Sequence, residues 1–193
     1  MEQRIVIYTA ITGGKDPKRD DILCFSDYDQ FTRPVMNAKI YKILPHQFID
    51  ADISVWVDGN IKLLIPLEEF VDEFLGDFDM GVWEHFDRDC VYEEGEAAKG
   101  LGGDYTIGID EQLRHYRRQG FQEHWGLAEC NVLVRRHTPL MEEFNNAWWA
   151  EICRWSCRDQ ISFPYVLSQF PQIEVKFNEG NPREHHNFSY IPH

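Results

Sequence analysis

Short, continuous apolar runs alternate along this chain with stretches of helical periodicity. Arg4 to Ala10, Arg-Ile-Val-Ile-Tyr-Thr-Ala, is a nearly unbroken β-branched and aromatic run, which predicts a strand covered on both faces, as in parallel sheets. Ile22 to Phe25, residues 54 to 57 (Ser-Val-Trp-Val), Asp79 to Trp83, Cys130 to Val134 and Ile173 to Phe177 read as further strands. Between them, Met36 to Leu44 reads as a helix stopped by Pro45. Pro66 to Leu75 is an amphipathic helix, with Leu67, Phe70, Val71, Phe74 and Leu75 on one face and Gly76 as its stop. Arg88 to Glu94 opens a polar stretch of mixed helix and loop, and Ile109 to Gln119 is a helix ended by Gly120. Thr138-Pro139 caps a long helix reaching about Trp155, whose stripe is Leu140, Phe144, Trp148, Ile152 and Trp155. A last helix starts at Arg158-Asp159-Gln160 and is interrupted near Pro164. Strands and helices alternate without repeats or a linker, so residues 1–193 read as one α/β domain with a mostly parallel central sheet.

Polar residues at the strand ends carry the chemistry. Ligands of open α/β sheets collect beyond the carboxyl ends of strands. There Asp58-Gly59-Asn60 follows the apolar run of residues 54 to 57. Asp58 and Asn60 are two apart and share a face in extended chain, and Gly59 permits a turn or a close approach. A turn and a ligand site both fit this tripeptide. The loop Ile11-Thr12-Gly13-Gly14-Lys15 follows the first strand but has neither the dinucleotide nor the P-loop glycine pattern. Asp27 follows the second strand as a turn residue or a ligand. Arg33, Lys39 and Lys42 mark an anion site or a solvated helix face.

Charge narrows the partners. With 33 Asp and Glu against 19 Lys and Arg, the net charge is −14, which argues against extended nucleic-acid binding. No stretch reaches the roughly 18 uninterrupted apolar residues of a membrane span. The N-terminus, Met1-Glu2-Gln3-Arg4, lacks a signal-peptide profile, and five scattered cysteines form no disulfide framework, so a cytoplasmic location is expected. Their spacing does not suggest zinc.

Several segments, taken in order, resemble one family. They are Tyr8-Thr9-Ala10-Ile11-Thr12-Gly13-Gly14, Cys24-Phe25-Ser26-Asp27, Ala38 to His46, and Trp56-Val57-Asp58-Gly59-Asn60-Ile61. His85 with Arg88 to Glu94, Gly126-Leu127-Ala128-Glu129, Trp148-Trp149-Ala150-Glu151 and Ser156 to Val166 follow. Over roughly residues 4 to 168 the chain resembles the glycosyltransferase-like family formerly catalogued as a domain of unknown function, whose plant members act in cell-wall and mucilage polysaccharide formation.

The resemblance implies a GT-A-type, Rossmann-like fold that binds a nucleotide-sugar and transfers the sugar to a hydroxyl of a glycan or other acceptor. Donor contacts then fall to Thr9, Ala10, Thr12, Asp27, Lys39, Asp58, Gly59, Asn60, Arg158 and Gln160. Asp159 and Glu129 are the carboxylates expected at the reacting centre, and His85 and Arg88 line the acceptor side. A divalent cation, Mn²⁺ or Mg²⁺, is implied at Asp58 and Asn60, completed by His185 or His186 from the tail, residues 178 to 193, packing near the site. Asn60 stands where a second carboxylate is usual, which weakens that implication. A nucleotidyltransferase and a catalytically inactive sugar- or nucleotide-binding module are the alternative functions.

Overall fold

The computed structural model describes residues 3–14 and 16–191. Lys15 of the first loop, the extreme N-terminal Met1-Glu2 and the tail residue His193 therefore lie outside the described residues. The central sheet has six strands: β1 (Ile5–Ala10), β2 (Leu23–Phe25), β3 (Ile53–Val57), β5 (Met80–Glu84), β6 (Ala128–Arg136) and β7 (Val175–Asn178). They are ordered β2-β1-β3-β6-β5-β7. The pairs β1–β2, β1–β3 and β5–β7 are parallel, whereas β6 is antiparallel to both its neighbours. Five strands therefore run one way and β6 the other, so the N-terminal end of β6 lies at the same sheet edge as the carboxyl ends of the rest. A second sheet pairs β4 (Ile61–Leu63) with β8 (Phe188–Tyr190), folding the tail back beside the Asp58 turn.

Helices cover both faces. Met36 and Ile40 of α1 (Pro34–Ile43), Phe144, Trp148 and Ile152 of α5 (Pro139–Arg154), and Phe163 of α6 (Asp159–Leu167) pack with Tyr8, Trp56 and Leu133 of the sheet. On the other face, Phe70, Val71 and Phe74 of α2 (Leu67–Phe74) pack on Ile53, Val55, Val132 and Val134, with Phe188 of β8. The alternation of Ile53 and Val55 with Trp56 divides β3 between these two layers, the period-two logic of a strand buried on both sides. A third cluster joins α3 (Val91–Lys99) and α4 (Ile109–Arg118) to Ile161 of α6. Thr138 caps α5 by accepting from the Met141 backbone at 3.2 Å. Among the described residues, no helix is long and apolar enough to cross a membrane.

Two features of β6 differ from the sequence pattern. β6 extends beyond Cys130–Val134 to nine residues, through the polar Glu129, Asn131 and Arg135, all buried. Its register with β5 slips between Val82, which pairs Leu133, and Trp83, which pairs Glu129. Such bulges re-aim side chains beside functional sites, and this one lies next to Glu129. The other feature is Arg135, fully buried and, among the described residues, without a carboxylate partner. It donates to the carbonyls of Lys42 and Ile43 at the end of α1, to Asn145 Oδ1 at 3.0 Å and to Tyr8 Oη at 3.0 Å. A guanidinium at a helix C-terminus satisfies carbonyls the helix itself leaves open. It thereby fixes the turn of α1 that carries Lys42.

Candidate active site

At the carboxyl edge of β3, Asp58 begins a turn whose first hydrogen bond, Ile61 N–H to Asp58 C=O at 2.9 Å, returns the chain into β4. The segment therefore forms the turn that its residue types allow. Asp58 Oδ1 accepts from Trp56 Nε1 at 2.8 Å, and Lys42 Nζ lies 3.3 Å from the same oxygen. Lys42 also meets Asp159 Oδ2 at 2.8 Å, and Lys39, one helical turn earlier, reaches that oxygen at 2.8 Å. The spacing of three on α1 aims both ammonium groups at the first residue of α6. Burial alone would push the Asp159 carboxyl up; Lys39 and Lys42 overcome it and hold the group well below the ordinary carboxylate range. Burial likewise works against the Lys42 ammonium, and Asp159 and Asp58 outweigh it, so Lys42 stays charged.

A second network adjoins the first through α6. Glu129 Oε2 accepts from Gln160 Nε2 at 2.9 Å, and Oε1 accepts from Arg183 of the tail at 3.0 Å. The fully buried Glu94 of α3 receives Arg88 Nε at 2.9 Å and Arg158 Nε at 2.8 Å. His85 stands between these carboxylates, its Nε2 3.6 Å from Glu129 and 3.7 Å from Glu94. The backbone N–H groups of Asp87 and Arg88 donate to its Nδ1 at 3.2 and 3.1 Å, which assigns the neutral ring's proton to Nε2. Burial lowers the His85 pKa, with Glu94 opposing, so the ring is neutral at neutral pH. Burial raises the Glu129 pKa against Arg183 and Arg158. The two carboxylates singled out in the sequence are thus pushed in opposite directions, Asp159 down and Glu129 up.

Counted together, the cations are Lys39, Lys42, Arg88, Arg158 and Arg183, five against the five carboxylates Asp58, Asp87, Glu94, Glu129 and Asp159. A local balance of charge stands out in a chain of net charge −14.

The other sequence-predicted donor contacts line the same edge with varied partners. Thr9 and Ala10 are buried at the end of β1. Thr12 Oγ1 donates to the Pro34 carbonyl at 2.7 Å, tying the first loop to α1. Asp27 Oδ1 accepts from Tyr41 Oη at 2.8 Å. A Cβ on Gly59 would come within 3.1 Å of Asp16 Oδ2 and 3.2 Å of Ile11 Cγ1, so the β1 loop closes against the Asp58 turn. The Asn60 carbonyl accepts from Ile191 N–H at 2.9 Å. His185 packs on Trp83, with ring centroids 5.1 Å apart, and on His186 at 4.4 Å, beside the α2 layer. Trp56, Glu94 and Arg183 were not singled out from sequence. Trp56 reads there as core, Glu94 as one acid in an acidic helix turn, and Arg183 as one charge of a polar tail.

At the place where the divalent cation was expected, a lysine ammonium stands against Asp58. The Asp58 oxygen nearest the cluster is already engaged by an indole N–H and an ammonium group. Asn60 brings no charge there.

The family profile described as "TOD1/MUCI70, glycosyltransferase-like domain" matches residues 23–189. The chain belongs to this family. It is 30% identical over 141 residues to the "Probable hexosyltransferase MUCI70" of Arabidopsis thaliana, covering 67% of this chain and 24% of that protein. To the "Alkaline ceramidase TOD1" of the same plant it is 24% identical over 163 residues, 77% of this chain and 35% of that one. The chain thus spans well under half the length of these relatives. Among solved structures, an apo form of the WbbM bifunctional glycosyltransferase superposes with a TM-score of 0.55 at 11% identity, over 92% of this chain and 39% of that one. That likeness shows a fold shared with a glycosyltransferase, in agreement with the α/β sheet expected from sequence.

Proposed function

We propose that the chain transfers a hexosyl group from a nucleotide-sugar to an acceptor hydroxyl, on a GT-A-type site at the carboxyl edge of β3. The observation that carries this reading is the Lys39–Asp159–Lys42–Asp58 cluster, which fixes two ammonium groups beside two carboxylates where the family motifs meet. In the transfer, the bond from sugar C1 to the diphosphate oxygen breaks and its electron pair leaves on that oxygen. The acceptor oxygen bonds to C1 and gives up its proton. Fixed cations stabilise the developing phosphate charge without reorganising during reaction. Lys39 and Lys42, with Arg158 nearby on Glu94, supply them. Glu129, with its raised pKa, suits the acceptor proton, since a base works best with a pKa near the operating pH. Asp159 is held too acidic for that task and positions the two lysines. Arg88 and Arg183, on the exposed side of the carboxylates, line the acceptor approach with His85.

A thermal-shift screen of UDP- and GDP-hexoses, followed by product analysis of the stabilising donor, tests the proposal. Slow donor hydrolysis to nucleoside diphosphate and free hexose is expected, and Asp58→Ala should weaken UDP binding by about tenfold, the loss of one charge-assisted contact. Release of pyrophosphate would instead indicate a nucleotidyltransferase, and binding without turnover an inactive module. Cleavage of ceramide with no donor turnover would assign the chain the activity named for its second relative.

A further inference from the structure

We infer that the Lys42 ammonium takes the place of the divalent cation, so that this site holds a donor diphosphate without metal. The inference rests on the donor-site reading above and concerns the charge that meets the diphosphate. In a metal-bridged site, carboxylate oxygens at a strand end are left open to a hard cation, which demands about six oxygen ligands. Here one oxygen of the strand-end carboxylate, Asp58 Oδ1, is engaged from within. Lys42 bridges Asp159 at 2.8 Å and Asp58 at 3.3 Å, and Trp56 donates to the Asp58 oxygen that Lys42 faces. A divalent ion placed on that oxygen would lie against a buried ammonium, a like-charge contact in a poorly screened setting.

The same arrangement equips Lys42 to bind phosphate itself. An ammonium has three donors, and these two carboxylates engage two of them. Its link to Asp58 is the longer of the pair, hence the weaker. The Asp58 side chain is 39% exposed against 6% for Lys42, so a ligand approaches this pair from the Asp58 side. The lysine is held in place on three sides: by Asp159, by Trp56, over whose ring its Nζ lies 5.5 Å from the centroid, and by Arg135, which binds the Lys42 carbonyl. A fixed cation of this kind gives the leaving group charge stabilisation but no Lewis-acid ligand exchange, so chelators should leave it untouched.

The test uses the full chain with inorganic pyrophosphate and UDP as probes. Calorimetric titrations are run in excess EDTA and in saturating Mn²⁺, and the Mn²⁺ EPR spectrum is followed with and without UDP. The inference expects both probes to bind with affinities that agree within about twofold in the two conditions, a difference well under 1.4 kcal/mol. The protein should leave the hydrated-ion Mn²⁺ spectrum unchanged beyond what UDP alone causes. Lys42→Met should lose about tenfold or more of pyrophosphate affinity in EDTA, the worth of a charge-assisted hydrogen bond, while Lys42→Arg retains most of it. Binding that appears only with Mn²⁺, together with a broadened Mn²⁺ spectrum, overturns the inference and leaves the donor-site reading intact. Failure of both probes to bind in either condition, with folded wild-type protein, overturns the donor-site reading as well. The wild-type comparison decides the matter even where Lys42→Met does not fold.

Discussion

Replacing Asp159 by Asn removes the charge that holds two buried ammonium groups and nearly preserves shape. The side chains concerned are 5% exposed for Asp159, 11% for Lys39 and 6% for Lys42, and both contacts are 2.8 Å. At an effective dielectric of about 20, one such pair at that distance is worth about 6 kcal/mol of gross attraction. Desolvation of the ions offsets most of this in the wild type, so the pairs add little net stability. The variant behaves differently, because the cost of burying the ammonium groups remains while their counter-ion is gone. Lys42 keeps only the 3.3 Å contact with Asp58. Breaking a buried pair in this way costs about 3–5 kcal/mol, a large share of the 5–15 kcal/mol or so that a domain possesses.

The pH dependence follows from the direction of the Asp159 shift. Its pKa in the folded chain lies below the unfolded value of about 3.9, so its stabilisation is present above that value. It is lost as pH falls through the folded value. The gap between wild type and Asp159→Asn should therefore be constant around neutral pH and shrink progressively once the pH drops below about 4. Urea unfolding, with midpoint and slope recorded across this range, measures the gap. A variant within about 1 kcal/mol of wild type at neutral pH would show that the lysines re-solvate without Asp159, and would refute the picture of a buried, mutually dependent cluster.

Two further outcomes follow from the same geometry. Glu129→Gln should lower turnover by about 10²–10⁴, the usual contribution of a general base, while leaving pyrophosphate binding in place. Burial raises the Glu129 pKa, so its ionised form is a burden: the stability tied to its protonated form is present below the unfolded pKa and lost as pH rises through the folded one. The Gln variant should accordingly unfold at no lower urea concentration than wild type at neutral pH; a clear loss would mark Glu129 as structural. Arg135→Met strips donors from the carbonyls of Lys42 and Ile43, from Asn145 and from Tyr8. Orphaned buried acceptors cost about 1–3 kcal/mol each, so a loss of at least about 3 kcal/mol in urea unfolding is expected. A neutral result would mean that the end of α1 is held by packing alone.

Local pattern determined much of this protein. Burial on both faces makes β1 and β3 legible as apolar runs, and Pro45, Gly76, Gly120 and Thr138-Pro139 mark helix limits because backbone chemistry acts within a few residues. The order of motifs at Asp58, His85, Glu129 and Arg158-Asp159-Gln160 was likewise readable, and with it the family. Tertiary structure alone decided the rest. The antiparallel setting of β6 brings Glu129 to the edge shared with Asp58, and strand direction leaves no trace in a hydrophobic run. β4 and β8 are three residues each and find one another across more than a hundred positions, too short and too distant for a local signal. Which of many charges matter was also hidden. Glu94 and Arg183 look in sequence like ordinary solvated charges, Lys42 fits an anion site or a solvated helix face, and only burial against named partners separates them from the rest. Asp58-Gly59-Asn60 shows the division most clearly. Its residue types announced a turn and a polar strand end, but whether Asp58 faces a metal or a lysine depends on where α1 packs, which no spacing in the chain records.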